Sequence, residues 1–167
     1  MKNILIKIIS ITLIFSITGC SSLSPATEAM LGKYAPNTRF TMLDDGEYVS
    51  IRSFYGKTTV LVFWATWCSN SKAFMKEFSK FTREHQRSDV KYLAVSIDDP
   101  QDKQTLQNMV YLQGLDSMDH AFSGNAELDE AFLTFRLIAV PTIIVLSPDG
   151  KVIDMGNSIS VVERNIK

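Results

Sequence analysis

Apolar and polar residues follow several rhythms along the chain, and each rhythm predicts an element. Thr59 to Trp64 is an unbroken apolar and β-branched run, the pattern of a strand buried on both faces. Val90 to Ile97 repeats that pattern. Between them, Ser69 to His85 loses its β-branched residues and spaces Phe74, Phe78 and Phe81 at i, i+4 and i+7. That spacing places three rings on one stripe of an otherwise charged helix, where they serve as core. Ahead of this unit, Arg39 to Leu43 and Tyr48 to Ile51 read as short strands joined by Asp44-Asp45-Gly46-Glu47, whose Asp-Gly step signals a hairpin. After it, Asp98-Asp99-Pro100 supplies capping side chains and a proline for the start of a helix over Gln101 to Leu112. A short strand around His120 to Phe122 and a helix over Ala126 to Phe135 follow. Val140-Pro141 opens a strand that reaches Leu146, Ser147-Pro148-Asp149-Gly150 turns it, and Lys151 to Asp154 returns. Ser158 to Ile166 predicts a final helix. The order β-α-β-α after a hairpin makes the fold class α/β.

The first residues follow another logic. Lys2 and Lys7 precede an apolar run from Ile8 to Ile17 and then Thr18-Gly19-Cys20. A run of about 10 residues is too short for a permanent span, which takes roughly 20, so residues 1–19 read as a processed signal. Small residues followed by Cys20 resemble the lipobox of bacterial lipoproteins. That resemblance implies cleavage before Cys20, lipidation of its sulfur, and a protein held on a membrane outside the cytoplasm, facing the periplasm or the exterior. Residues 20–34 begin with a polar stretch, Ser21 to Glu28, and read as the linker from the bilayer. Residues 35–167 are then one domain.

Charge narrows the partners. Cleavage would remove two of the 17 basic residues and none of the 18 acidic ones, leaving an acidic protein with nothing to attract nucleic acid. The chain has two cysteines, and lipidation of Cys20 would leave Cys68 unpaired in an oxidising compartment. Cys68 stands where the buried strand meets the charged helix. A cysteine there faces unpaired backbone N–H groups and the positive end of the helix dipole, which favour thiolate over thiol. Polar Ser69-Asn70-Ser71 argues for exposure over an inert packed thiol.

These residues together resemble the thioredoxin superfamily, and within it the membrane-anchored TlpA/ResA-like thiol-disulfide proteins. The resemblance runs through Ala35-Pro36, Asp45-Gly46, Val49-Ser50-Ile51, Gly56-Lys57, the Val62-to-Cys68 block, Val95-Ser96-Ile97-Asp98, Val140-Pro141-Thr142 and Asp149-Gly150. It implies a thioredoxin-like fold: a central mixed sheet flanked by helices, with the hairpin as an N-terminal extension. It also implies that Pro141 is cis and lies against Cys68 and that Val140 offers its backbone to an incoming peptide. Trp67, next to the thiol in the chain, is expected at the surface. Trp64, inside the strand, is expected to pack.

The chain departs from that family at one position. The family carries Cys-x-x-Cys, whereas here the motif is Cys68-Ser69-Asn70-Ser71. A mixed disulfide on Cys68 has no second thiol to break it from within. Ser71, one turn on, is expected to hydrogen-bond the thiolate. The expected activity is thiol-disulfide chemistry through Cys68 alone, with protein thiols or disulfides as partners and an external thiol as reductant. The alternative is a redox-inactive lipoprotein that keeps the fold to bind peptides. No cofactor or metal is expected, because neither His85 nor His120 shares a ligand spacing with Cys68.

Overall fold

The computed structural model describes residues 23–166; the expected signal segment and Cys20 lie outside the described residues. A short helix, α1 (Pro25–Glu28), comes first, followed by β1 (Arg39–Thr41) and β2 (Tyr48–Ser50), which pair antiparallel as the hairpin. Then come β3 (Thr58–Trp64), α2 (Ser69–Glu84), β4 (Val90–Ser96), α3 (Lys103–Leu112) and β5 (Asp119–Phe122). The chain ends with α4 (Glu130–Thr134), β6 (Thr142–Leu146), β7 (Val152–Gly156) and α5 (Ser160–Asn165). The main sheet has the order β5-β4-β3-β6-β7. β3 pairs parallel with β4 and antiparallel with β6, so the sheet is mixed and β3 is central.

Because successive side chains on a strand point to opposite faces, β3 feeds two cores at once. Val60, Val62 and Trp64 join Phe74, Met75 and Phe78 of α2, Leu106 and Val110 of α3, and Val161 and Val162 of α5 on one face. Leu61, Phe63 and Ala65 join Phe40, Ile51, Phe132 and Phe135 on the other. Phe74 and Phe78 stack at 5.6 Å, and Phe78 meets Tyr92 of β4 edge-on at 5.8 Å, so the ring stripe expected on α2 is core. The hairpin covers the β5 edge: Leu43 N donates to His120 O at 2.9 Å, and Met42 bridges Ala121.

Three expectations are corrected. Residues 24–34 are docked on the domain rather than free as a linker. Thr27 is fully buried, its Oγ1 donates to Arg136 O at 2.7 Å, and Gly32 N and Val152 N bond across to Val152 O and Lys33 O. A polar segment of this kind packs when its hydroxyls find the unpaired carbonyls of a neighbouring loop. Second, the helix expected over 126–135 is broken: a 3-10 turn over Ala126–Leu128 stops at Asp129, whose extended backbone (φ −53°, ψ 134°) caps α4 through Phe132 N at 3.0 Å. Third, β6 starts at Thr142, after Pro141, and the Thr142 hydroxyl closes the preceding turn on Ala139 O at 2.7 Å.

His120 on β5 is buried, with Nε2 donating to Leu115 O at 2.8 Å and Nδ1 without a partner. Burial, the largest influence, pushes its pKa below the ordinary 6.5, although Asp44, Asp119 and Asp116 act the other way. With a depressed folded-state pKa, the unfolded chain takes up the proton first. This share of stability is therefore present above about pH 6.5 and is lost as pH falls through the folded value. We expect the urea midpoint to drop between pH 7.5 and 5.5, and His120→Gln, which keeps a donor for Leu115 O, to flatten that drop. Equal pH slopes in the two proteins would remove His120 from this role.

Candidate active site

β3 ends at Trp64 and α2 begins at Ser69, leaving residues 65–68 to turn the chain. Asp98, fully buried just past β4, holds that turn from behind. Its Oδ1 accepts from Thr66 N at 2.9 Å and from Thr66 Oγ1 at 2.8 Å. Its Oδ2 accepts from Ser96 Oγ at 2.6 Å and from Thr66 N at 3.1 Å. The sequence reading gave Asp98 and Asp99 to the helix that follows. Instead Asp98 turns inward, and Asp99 makes no side-chain cap bond. The reason lies in the turn: the Thr66 amide is buried with no ladder partner, and a carboxylate satisfies both it and the hydroxyl. Sequence reasoning missed this anchor. The available signal was a short polar pair, Ser96 and Asp98, closing a strand that is otherwise buried.

Beyond the turn, Cys68 takes the N-cap of α2 in extended backbone (φ −89°, ψ 115°). Its Sγ accepts from Ser71 N at 3.4 Å, and the thiol points at Val140 O at 3.6 Å. Val140-Pro141 is a cis peptide. Cys68, Ser71, Val140 and Pro141 are therefore brought together, and Trp67 beside them is 57% exposed while Trp64 is fully buried. Cys68 itself is partly exposed and unpaired. One expected contact differs. The Ser71 amide, not its hydroxyl, reaches the sulfur, and Ser71 Oγ is fully buried without a hydrogen-bond partner. An N-cap atom meets the amide three residues on because the first turn leaves that N–H unpaired.

Two shallow clefts flank the thiol. One, of about 320 Å³, is lined by Asn70, Phe74, Pro141, Ser158 and Ile159. The other, of about 440 Å³, is lined by Trp67, Ile97, Asp99, Asn125 and Leu128. Cys68 is thus partly exposed, with an N–H donor on its sulfur, at the N-terminus of a 16-residue helix. The two histidines lie apart from it: His85 caps α2 and stacks on Phe81 at 4.0 Å, and His120 sits on β5. Among the described residues, no group of three or more His, Cys, Asp or Glu side chains is placed to hold a metal ion.

Comparison with known proteins agrees with this geometry. The chain is 28% identical over 123 residues to the thiol-disulfide oxidoreductase ResA of Bacillus thuringiensis subsp. konkukian, covering 74% of this chain and 67% of that one. It is 26% identical over 109 residues to the sporulation thiol-disulfide oxidoreductase A of Bacillus subtilis, covering 65% and 63%. Among solved structures, a thiol-disulfide oxidoreductase from Bacteroides fragilis superposes with a TM-score of 0.69 at 23% identity, over 80% of this chain and 97% of that one. A thiol:disulfide interchange protein from Bacteroides sp. superposes with a TM-score of 0.65 at 19% identity, over 81% and 90%. The thioredoxin-like family model matches residues 56–152, from the approach to β3 through the start of β7. With more than half of its length inside that match and its central strand, helix and cis-proline turn arranged around one thiol, the chain belongs to the thioredoxin-like family.

Proposed function

We propose that this protein carries out thiol-disulfide exchange through Cys68 alone, at the outer side of a bacterial membrane to which lipidated Cys20 ties it. The carrying observation is the partly exposed Sγ at the start of α2, 3.6 Å from Val140 O, with Ser71 where a second thiol would stand. The Cys68 thiolate attacks one sulfur of a partner disulfide, forming Cys68-S-S-R and releasing the other half as a thiolate. A thiolate from an external low-molecular-weight thiol then attacks the R sulfur, which forms a new disulfide with it and leaves Cys68 free. No electron is gained or lost by the protein over the cycle. In this reading attachment rests on the acyl chains; among the described residues, no helix is long and apolar enough to cross a membrane. Ser24 is docked on Arg136 O, and only three residues of chain, Ser21 to Leu23, separate it from Cys20, four steps with a reach of at most about 14 Å. Partners must therefore come to the membrane surface.

The test is capture of mixed disulfides in cells, after acid quenching and alkylation, beside Cys68→Ala and Cys20→Ala chains. The expected result is discrete disulfide-linked partners in the membrane fraction, absent from Cys68→Ala and moved to the soluble fraction by Cys20→Ala. Partners that persist unchanged in Cys68→Ala defeat the exchange reading and favour a binding protein, with exposed Trp67 and the Pro141 edge as its surface.

A further inference from the structure

A row of cations leaves Cys68 along the outside of α2. Lys72, Lys76 and Lys80 follow the thiol at i+4, i+8 and i+12, with Arg83 close behind, and all four are exposed. Residues four apart are neighbours on a helix surface, so the stripe begins one turn from the reacting sulfur and then winds slowly round the helix, reaching about 120° from Cys68 at Lys80 with 3.6 residues per turn. None of the three lysines has an ion-pair partner within salt-bridge distance, whereas Arg39, Arg87, Lys91, Lys151 and Arg164 each do. Arg83 is anchored, its Nη1 2.6 Å from Gly114 O. The acids of this helix, Glu77 and Glu84, border the row at its far end, where they share with Lys80 a cleft that reaches Ile159 and Glu163. On the stripe's side, α3 and its approach to Leu115 carry no acid at all from Lys103 onward. A groove of about 450 Å³ lined by Ala73, Lys76, Glu77, Lys80 and Arg83 runs between the cationic and acidic rows.

This concentration of positive charge stands on a chain whose acids outnumber its bases, 18 to 17, and so is local. Unpaired lysines on a helix interior add nothing to folding; like charges at i, i+4 cost a few tenths of a kcal/mol. They do create a field that attracts anions and raises encounter rates. We infer that Lys72, Lys76 and Lys80 form the docking surface for protein partners that carry a run of acidic residues beside the reacting sulfur. This rests on the exchange reading above and specifies its substrates. The distances fix the spacing: Lys72 lies about 6 Å and Lys80 about 18 Å along the helix axis from Cys68, at 1.5 Å per residue. An extended partner advancing about 3.3 Å per residue meets that row with acids two to six positions from its own cysteine.

The experiment uses the full-length chain in an uncharged detergent and three peptides, each a mixed disulfide with the same small chromogenic thiol. Their cysteines are flanked at positions two to six by Asp/Glu, by Ser/Gly, or by Lys. At low salt the acid-flanked peptide is expected to react with Cys68 about 10-fold or more faster than the base-flanked one, because steering by charged surfaces spans about 10 to 10³. At 1 M salt, where the screening length falls to about 3 Å, the ratio should collapse. The triple variant Lys72→Glu, Lys76→Glu, Lys80→Glu should invert the order of the peptides. Reversal at Lys33 and Lys57, which precede the opposite end of the sheet from Cys68, should leave the order in place. Using a ratio between peptides on one protein cancels any general loss of folding. Equal rates for all three peptides on the native chain overturn the inference while leaving exchange chemistry intact; no reaction with any of them removes both. Should the triple variant keep the native peptide ratio yet fail to bind vesicles of anionic phosphatidylglycerol that the native chain binds, the stripe serves lipid and the inference is overturned.

Discussion

Ser71→Cys is expected to release a trapped partner from Cys68 without any added thiol, on the order of 10³-fold faster than the native chain does, given the effective molarities of well-placed intramolecular groups. The geometry supports it. Ser71 N already lies 3.4 Å from Cys68 Sγ, so a side chain at position 71 starts beside the sulfur; β-carbons three apart on a regular helix stand about 5–6 Å apart, and the extended N-cap backbone of Cys68 must bring the pair in to the roughly 3.5–4.5 Å of a disulfide. The substitution removes no hydrogen bond, because Ser71 Oγ has none, and a thiol suits a fully buried position better than a hydroxyl does. In the mixed disulfide, the introduced thiolate attacks the Cys68 sulfur and the partner leaves as a thiolate. The protein is left with an intrachain disulfide that a dithiol reductant must open. The measurement is the lifetime of a purified mixed disulfide with a model peptide, followed by mass. A lifetime unchanged from the native chain would show that the first turn of α2 does not align the two sulfurs, and that more than one residue separates this site from a dithiol one.

That single substitution also marks what was readable in the sequence. The missing sulfur shows as a serine in a motif, and the strand, turn and helix around it show as a change of apolar rhythm from Thr59 to Glu84, so the centre of the fold and the thiol's position were legible. Contacts between distant segments were less so. Thr66 and Asp98 are 32 residues apart, and nothing local distinguishes an aspartate that caps the next helix from one that turns back to hold a loop. Ser24 and Thr27 look like linker residues because their partner, Arg136 O, is 109 positions from Thr27. The helix expected over 126–135 fails for a different reason. Ala126 takes φ +50° and Asp129 an extended backbone, a tertiary demand that the favourable helix composition of Ala-Glu-Leu did not reveal.

Asp98→Ala is expected to lower the melting temperature by roughly 10 °C and to alter the reactivity of Cys68, through a residue that never touches the sulfur. Removing the carboxylate strands three buried donors: the Thr66 amide, the Thr66 hydroxyl and the Ser96 hydroxyl. Each unsatisfied buried group costs about 1–3 kcal/mol, and the hydroxyls can rotate to other acceptors while the amide cannot, so roughly 3–5 kcal/mol is lost. In a chain of this size each kcal/mol is worth about 2–4 °C. Asp98→Asn keeps one acceptor oxygen and should lose less than half as much. The functional consequence follows from position, since Thr66 is two residues before Cys68 and its amide fixes where the turn leaves β3. If the turn relaxes, Sγ moves off the Val140 carbonyl, and the alkylation rate of Cys68 in the folded variant departs from native, with Asp98→Asn between the two. Global unfolding would instead change melting alone and leave alkylation of the folded fraction untouched, which separates a positioning role from a merely structural one. An alanine variant that melts with the native chain would show that the Asp98 hydrogen bonds contribute little beyond what solvent supplies, and the account of how this turn is held would then be wrong.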